Sequence, residues 1–148
     1  MNETRVTTIG FTKSTAERFF ERILSAGVKT VVDVRLHNTS QLAGFAKAED
    51  LSFFLRKIGN INYIHKPILA PTDDILKSFK KEKGDWKIYE ESFMNLMNDR
   101  KIENRFDPDF FNESCLLCSE DTAHYCHRRL VVEYLNDKWG HNLQVRHL

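Results

Sequence analysis

Glu113 to Tyr134, ESCLLCSEDTAHYCHRRLVVEY, decides how the rest of the chain is read. Ser114 to Cys118 carries no charge, which suits a short strand covered on both faces better than an alternating edge strand. Ser119, Glu120, Asp121 and Thr122 supply turn and capping groups. Asp121 or Thr122 can accept the amides left unpaired where the following helix begins. The first turn of that helix carries Cys126, His127 and Arg128. A strand end feeding a helix N-terminus is the corner of an α/β protein where ligands usually sit. Function is therefore sought at Cys118, Glu120, His124, Cys126, His127 and Arg128.

C-terminal to this stretch, Leu130, Val131, Tyr134 and Leu135 continue the apolar face of the helix to about Lys138, where Gly140 ends it. Leu143 to Arg146 predicts a last strand. At the other end of the chain, Arg5 to Gly10 is a β-rich run stopped by glycine. Ser14 or Thr15 can cap a helix reaching Ala26, with Phe19, Phe20, Ile23 and Leu24 as one stripe. Thr30 to Val34, TVVDV, has the apolar density of a central parallel strand. Strand, helix and strand with short joins make a right-handed βαβ unit.

Arg35 to Lys47, RLHNTSQLAGFAK, is polar and lacks periodicity, as a functional loop with a short helical turn would. Asp50 to Ile58 predicts a helix burying Leu51, Phe54, Leu55 and Ile58, followed by a strand from Ile61 to His65. Asp73 to Phe79 begins another helix. After a solvated KKEKGD run, Trp86 to Glu103 makes a longer one, with Tyr89, Phe93, Leu96 and Met97 at core spacing. The expected fold is a single three-layer α/β domain over residues 1–148, with a largely parallel sheet of about five strands.

Composition narrows the function classes. With 22 Lys and Arg against 21 Asp and Glu, the formal charge of +1 gives no broad polyanion-binding face. Residues 72–113 hold 8 basic and 11 acidic residues, so the layer they form is an unlikely seat for nucleic acid. The 3 cysteines all lie after residue 114 and read as free thiols rather than a disulfide scaffold. MNETRVTTIG has no signal-peptide pattern, and no apolar segment could span a bilayer. A soluble cytoplasmic protein is expected.

The opening TIGFT, the strand end VVDVR, the loop NTSQLAGF and the closing CSEDTAHYCHRRLVVEYL together resemble the bacterial and archaeal family catalogued as domain of unknown function 488, in its branch with this polar loop. The resemblance spans nearly the whole chain, and no signature residue departs from it. It implies a compact α/β domain, a site drawn from Asp33, Arg35, Cys118, Glu120, Cys126, His127 and Arg128, and no settled reaction.

Read from their own chemistry, these residues divide into several roles. Asp33 and Arg35 share a face of their strand at period two. They read either as a buried pair fixing the following loop, or as a site in which Arg35 binds an anion and Asp33 positions a donor or water. Thr12, Asn38, Ser40 and Gln41 offer neutral groups for a polar ligand, and ordinary surface loops have the same composition. No Gly-rich nucleotide fingerprint is present.

Cys115 and Cys118 have C-x2-C spacing, but residues three apart on a strand face opposite sides. No metal is therefore expected, with Cys118, His124, Cys126 and His127 the least implausible ligand subset. A C-x5-R phosphate cradle fails because position 124 is histidine. Cys118 at a strand end and Cys126 at a helix start are candidates for thiol chemistry, and burial explains either.

His127 and Glu120, with Asp33, are the candidates for moving a proton; Arg35 and Arg128 are those for binding an anion. Arg128 beside a helix N-terminus conflicts with the macrodipole unless Asp33, Glu120 or a bound phosphate supplies negative charge. The function expected is a small enzyme acting on a phosphorylated or nucleotide-like substrate, without a cofactor. The alternatives are a noncatalytic domain binding a nucleotide, nucleic-acid end or small anion, and a structural domain in which the same ions complete a buried network.

Overall fold

A computed structural model describes residues 3–39, 44–81, 85–120 and 126–148. The chain runs β1 (Thr4–Gly10), α1 (Ala16–Ser25), β2 (Thr30–Asp33), α2 (Ala48–Gly59), β3 (Asn62–His65), α3 (Asp73–Lys81), α4 (Trp86–Arg100), α5 (Pro108–Phe111), β4 (Ser114–Cys118), α6 (His127–Lys138) and β5 (Leu143–His147). The five strands form one sheet in the order β3-β2-β4-β1-β5, with every neighbouring pair parallel. The uncharged strand read from Ser114 to Cys118 is the central one, and all its residues are buried.

Alternation along the strands divides the core into two layers. On one face Ile9, Val31, Cys115 and Leu117 pack against Phe19, Phe20 and Ile23 of α1 and Leu51 and Leu55 of α2. On the other, Val6, Val32, Leu116 and Cys118 pack against Phe93 and Met97 of α4 and Leu130, Val131 and Leu135 of α6. This is the expected three-layer α/β domain.

Strand order fixes where a crevice opens. From β1 the chain steps through α1 to β2 and through α2 to β3, all toward one sheet edge. It then returns to insert β4 between β2 and β1, and α6 carries it on to β5 at the other edge. The connections leaving β2 and β4, which are neighbours, thus depart to opposite faces. Such a divergence leaves a crevice outside the carboxyl ends of the two strands.

Local signals account for most boundaries. Thr15 caps α1 by accepting from the Arg18 amide, and Gly27, at φ 68°, takes the left-handed turn after it. The polar loop after β2 contains one short turn of 3-10 helix, Gly44–Ala46. Four expectations are corrected. Leu24 and Ile58 are 43% and 46% exposed, because each lies at the margin of its helix's buried stripe. The helix expected from Trp86 to Glu103 ends at Arg100, where Lys101 turns left-handed at φ 51°, and Ile102–Asn104 continues as 3-10 helix. The short helix α5 was not expected. α6 starts at His127 with Cys126 as its N-cap residue, while Asp121 and Thr122, the expected capping residues, lie outside the described residues. No helix among the described residues is long and apolar enough to cross a membrane.

The contrast within α1 is open to measurement. Phe19→Ala, at a wholly buried position, is expected to cost about 3–5 kcal/mol in urea unfolding, whereas Leu24→Ala should cost under about 1 kcal/mol. Equal losses would contradict the assignment of the helix face.

Candidate functional site at the carboxyl edge of the sheet

β2 ends in a charged pair buried under the α1–α2 layer. The Arg35 guanidinium donates from Nε to Asp33 Oδ1 at 2.8 Å and from Nη2 to Asp33 Oδ2 at 2.7 Å, and the Arg35 amide donates to Oδ1 at 3.1 Å. Nη2 also reaches the Ala46 carbonyl at 2.8 Å, and the guanidinium lies 5.3 Å from the centre of the Phe11 ring. The Tyr63 hydroxyl donates to Asp33 Oδ2, while Asn38 Nδ2 donates to Tyr63 Oη at 3.1 Å and lies 3.5 Å from Oδ2. Burial, then the Asp33 charge, raise the Tyr63 pKa, which keeps this hydroxyl a donor. With its carboxylate occupied in this way, Asp33 holds Arg35 and the loop in place.

Arg35 Nη1 is buried and, like Arg22 Nε, has no hydrogen-bond partner among the described residues, although the other donors of the Arg35 side chain are bonded. Arg35 is 4% exposed and lines a cleft of about 400 Å³. Leu36, Trp86, Tyr89, Ser119, Glu120, Cys126 and His127 also line it. Trp86 and Tyr89 stack at 4.8 Å with 20° between their planes, and Phe79 packs on Tyr89 at 5.0 Å. Burial, then the Glu120 carboxylate, raise the Tyr89 pKa, so Glu120 contributes its negative charge on this side of the cleft.

Across the crevice, α6 presents its first residues. His127 Nε2 donates to the Val34 carbonyl at 2.6 Å, tying α6 to the end of β2, and its ring lies 5.5 Å from Phe93. In the neutral imidazole this bond places the proton on Nε2 and leaves the lone pair on Nδ1. Burial drives the His127 pKa down to about 4 against the smaller opposing effect of the Val34 bond.

Arg128 is fully buried behind Cys118. Its Nε donates to Thr8 Oγ1 at 3.1 Å, and its Nη1 donates to Cys118 Sγ at 3.1 Å and to the Glu120 main-chain carbonyl at 2.6 Å. Glu120 therefore meets Arg128 through its backbone. Thr12 is also occupied, since both its amide and its hydroxyl donate to the Ser119 carbonyl. Gly10 permits this close approach: a Cβ there would lie 1.5 Å from the Glu120 carbonyl oxygen and 2.7 Å from Arg128 Nη1.

The cysteines depart from the free-thiol expectation. Cys118 and Cys126 form a disulfide, which joins the end of β4 to the start of α6. Cys115 remains a free thiol on the opposite face of β4, as strand alternation requires, and burial pushes its pKa up to about 12. The candidate ligand atoms of Cys118, Cys126 and His127 all lie within 4.8 Å of one another. His124, the fourth member of the expected ligand subset, lies outside the described residues, as do Ser40 and Gln41.

The residues singled out in the sequence thus gather at one sheet edge, in two layers. Asp33, Arg35 and Asn38 belong with α1 and α2; Cys118, Cys126, His127 and Arg128 belong with α4 and α6. Arg35, Glu120, Cys118, Cys126 and His127 share the cleft, whereas Asp33, Thr12 and Arg128 brace its walls from behind. The aromatic wall of Phe79, Trp86 and Tyr89 was not expected to line a site. Phe79 comes from α3, and the spacing of Trp86 and Tyr89 on α4 is that of an ordinary core stripe, which Tyr89 and Phe93 also satisfy.

A second cleft, of about 550 Å³, lies at the amino ends of the strands among Arg5, Gly27, Glu113 and Gln144. It contains none of the residues singled out in the sequence. The carboxyl-edge cleft has the diverging connections and the start of α6.

Two measurements probe this geometry. Gly10→Ala is expected to destabilise the fold by about 3 kcal/mol or more, since a main-chain carbonyl cannot move aside as a flexible side chain can; a loss under about 1 kcal/mol would contradict the close approach. His127 binds a proton more readily unfolded than folded. Its neutral form therefore contributes stability that is complete above about pH 6.5 and is lost as pH falls toward 4, by up to roughly 3 kcal/mol. Denaturant titrations across that window should show a loss that His127→Gln flattens.

The model of the family described as Domain of unknown function DUF488 matches residues 15–135. No curated protein and no solved structure matches the chain.

Proposed function

The chain belongs to the DUF488 family, and we propose that its carboxyl-edge cleft binds a small phosphorylated or nucleotide-like ligand. The observation that carries the reading is Arg35 Nη1, a buried donor with no acceptor among the described residues, on a side chain lining the cleft. An unmet buried donor is costly, and an anionic oxygen is its strongest complement. Asp33 supports this role by fixing the guanidinium bidentately, so little side-chain freedom is left to lose on binding. The stacked Trp86 and Tyr89 supply a flat apolar wall for a base or ring. A cleft of about 400 Å³ falls within the usual range for small-molecule sites. The anion rests on Arg35 alone in this reading, because Arg128 is engaged behind Cys118.

Catalysis is a second reading, favoured by the placement of His127 and Glu120 on the same cleft. With Nε2 bonded to Val34, the His127 nitrogen left for a substrate proton is Nδ1, and Glu120 is an exposed carboxylate lining the same cleft. The setting proposed is cytoplasmic, on composition. The reading includes no metal, because two of the three clustered donors are bonded to each other while the Cys118–Cys126 disulfide is intact.

Calorimetric titration with mononucleotides and sugar phosphates tests binding, with circular dichroism to verify each variant's fold. Arg35→Lys should weaken the ligand found by tenfold or more, because a lysine cannot keep the Asp33 fork and still present a second donor. Trp86→Ala should weaken a nucleotide more than a sugar phosphate. Unchanged affinity in folded Arg35→Lys would refute the anion seat. Should the ligand be turned over, loss of turnover in His127→Gln or Glu120→Gln with binding retained would favour the enzyme. Elemental analysis of dialysed protein is expected to find no stoichiometric zinc; zinc that is retained, and lost in Cys126→Ala, would overturn the metal-free reading.

A further inference from the structure

Cys118 and Cys126 sit on different elements, 8 residues apart in sequence, with their sulfurs joined at the wall of the cleft. Their surroundings differ from that of the remaining cysteine. Cys115 lies on the same strand but faces the α1–α2 layer, where burial outweighs the Thr7 hydrogen bond and the more distant Arg128 and Arg22 charges and keeps the thiol protonated. Cys118 Sγ instead receives Arg128 Nη1 at 3.1 Å, from a guanidinium immobilised by Thr8 and the Glu120 carbonyl. Cys126 occupies the N-cap position of the 12-residue helix α6, without a side-chain cap bond there. A fixed cation and a helix start both stabilise a thiolate. Each sulfur would thus be held as its anion once the bond between them is broken.

We propose that Cys118 and Cys126 are a reversible redox pair that exchanges with small thiols entering the cleft. Both cysteines are buried, at 1% and 2% exposure, so a bulky protein disulfide cannot reach them except through this opening, whereas a small thiol can. A thiolate RS⁻ attacks Cys126 Sγ. A Cys126–SR bond forms as the Cys118–Cys126 bond breaks, and the electron pair leaves on Cys118 Sγ, which Arg128 Nη1 stabilises. Attack at Cys126 is the favoured direction because it expels the better leaving group. A second RS⁻ then attacks the bound R sulfur, releasing RSSR and leaving Cys126 as a thiolate at the start of α6. Overall, one protein disulfide and two RS⁻ become two protein thiolates and RSSR. Run backwards, oxidation begins with the Cys126 thiolate attacking RSSR, and Cys118 resolves the mixed disulfide. This inference does not depend on which anionic ligand the cleft prefers.

The folded full chain is equilibrated in glutathione buffers of graded oxidised-to-reduced ratio, trapped with an alkylating reagent and mapped by peptide mass spectrometry. Cys118 and Cys126 should titrate together as a two-electron couple, while Cys115 stays a thiol protected from alkylation until the chain unfolds. With oxidised glutathione, Cys118→Ser should trap a mixed disulfide on Cys126. Cys126→Ser should form one on Cys118 at least about tenfold more slowly; serine at either position keeps a polar atom of similar size. A disulfide that resists reduced glutathione in the folded protein would be purely structural and would overturn the proposal. So would two cysteines that stay as thiols in oxidised buffer, or an adduct that forms on Cys118 as readily as on Cys126.

Discussion

A guanidinium taken wholly out of water, that of Arg128, organises the carboxyl edge of this sheet. Burying such a charge is costly unless its donors are met, and each partner that meets them comes from a different part of the chain. Thr8 belongs to β1, Cys118 to β4 and the Glu120 carbonyl to the connection beyond it, while Arg128 itself is rooted in α6. These three bonds therefore fix four segments against one another. Gly10 is required for the same reason, since any Cβ would displace the carbonyl that Arg128 binds. With the start of α6 held in this way, the neighbouring His127 reaches Val34 and ties the end of β2 into the same assembly.

A second lock on the opposite face completes the site. Asp33 and Arg35 hold each other bidentately, and Tyr63, Asn38 and the Ala46 carbonyl close the network around them. Aspartate and arginine buried together suggest stability, yet pairs of this kind often contribute little of it and instead fix a unique geometry. Here the pair fixes the start of the polar loop and the orientation of Arg35, whose Nη1 has no acceptor among the described residues. The two locks lie on either side of the sheet and share the cleft between them. A rigid wall on each side is what a preorganised small-ligand site needs.

Much of this was legible in the sequence, and the parts that were not have identifiable physical causes. Apolar runs marked the inner strands β2 and β4, because a central parallel strand must be apolar on both faces, while the edge strands β3 and β5 carried a weaker signal. Strand alternation also correctly separated Cys115 from Cys118. The order of the strands carries no local signal, so period two placed Asp33 and Arg35 on one face without revealing that Cys118, His127 and Arg128 lie against the other. The bond between Cys118 and Cys126 depends on the end of β4 and the start of α6 lying side by side, which spacing alone does not encode. Leu24 and Ile58 misled because a hydrophobic stripe one residue too wide looks the same in sequence as one that fits. Trp86 and Tyr89 obey core spacing and line a cleft at once, since the end of a buried stripe that reaches the sheet edge becomes the wall of whatever opens there.

The central claim is that the carboxyl edge, where the connections of β2 and β4 diverge, is the ligand site, although the amino edge carries the larger cleft. Volume would not choose the carboxyl edge; divergent connections, a buried donor without an acceptor among the described residues and a helix start do. Backbone amide NMR spectra recorded through a titration with a mononucleotide separate the two directly. The account predicts saturable shifts confined to Leu36, Trp86, Tyr89, Ser119, Glu120 and His127. Shifts centred instead on Gly27, Glu113 and Gln144 would contradict it.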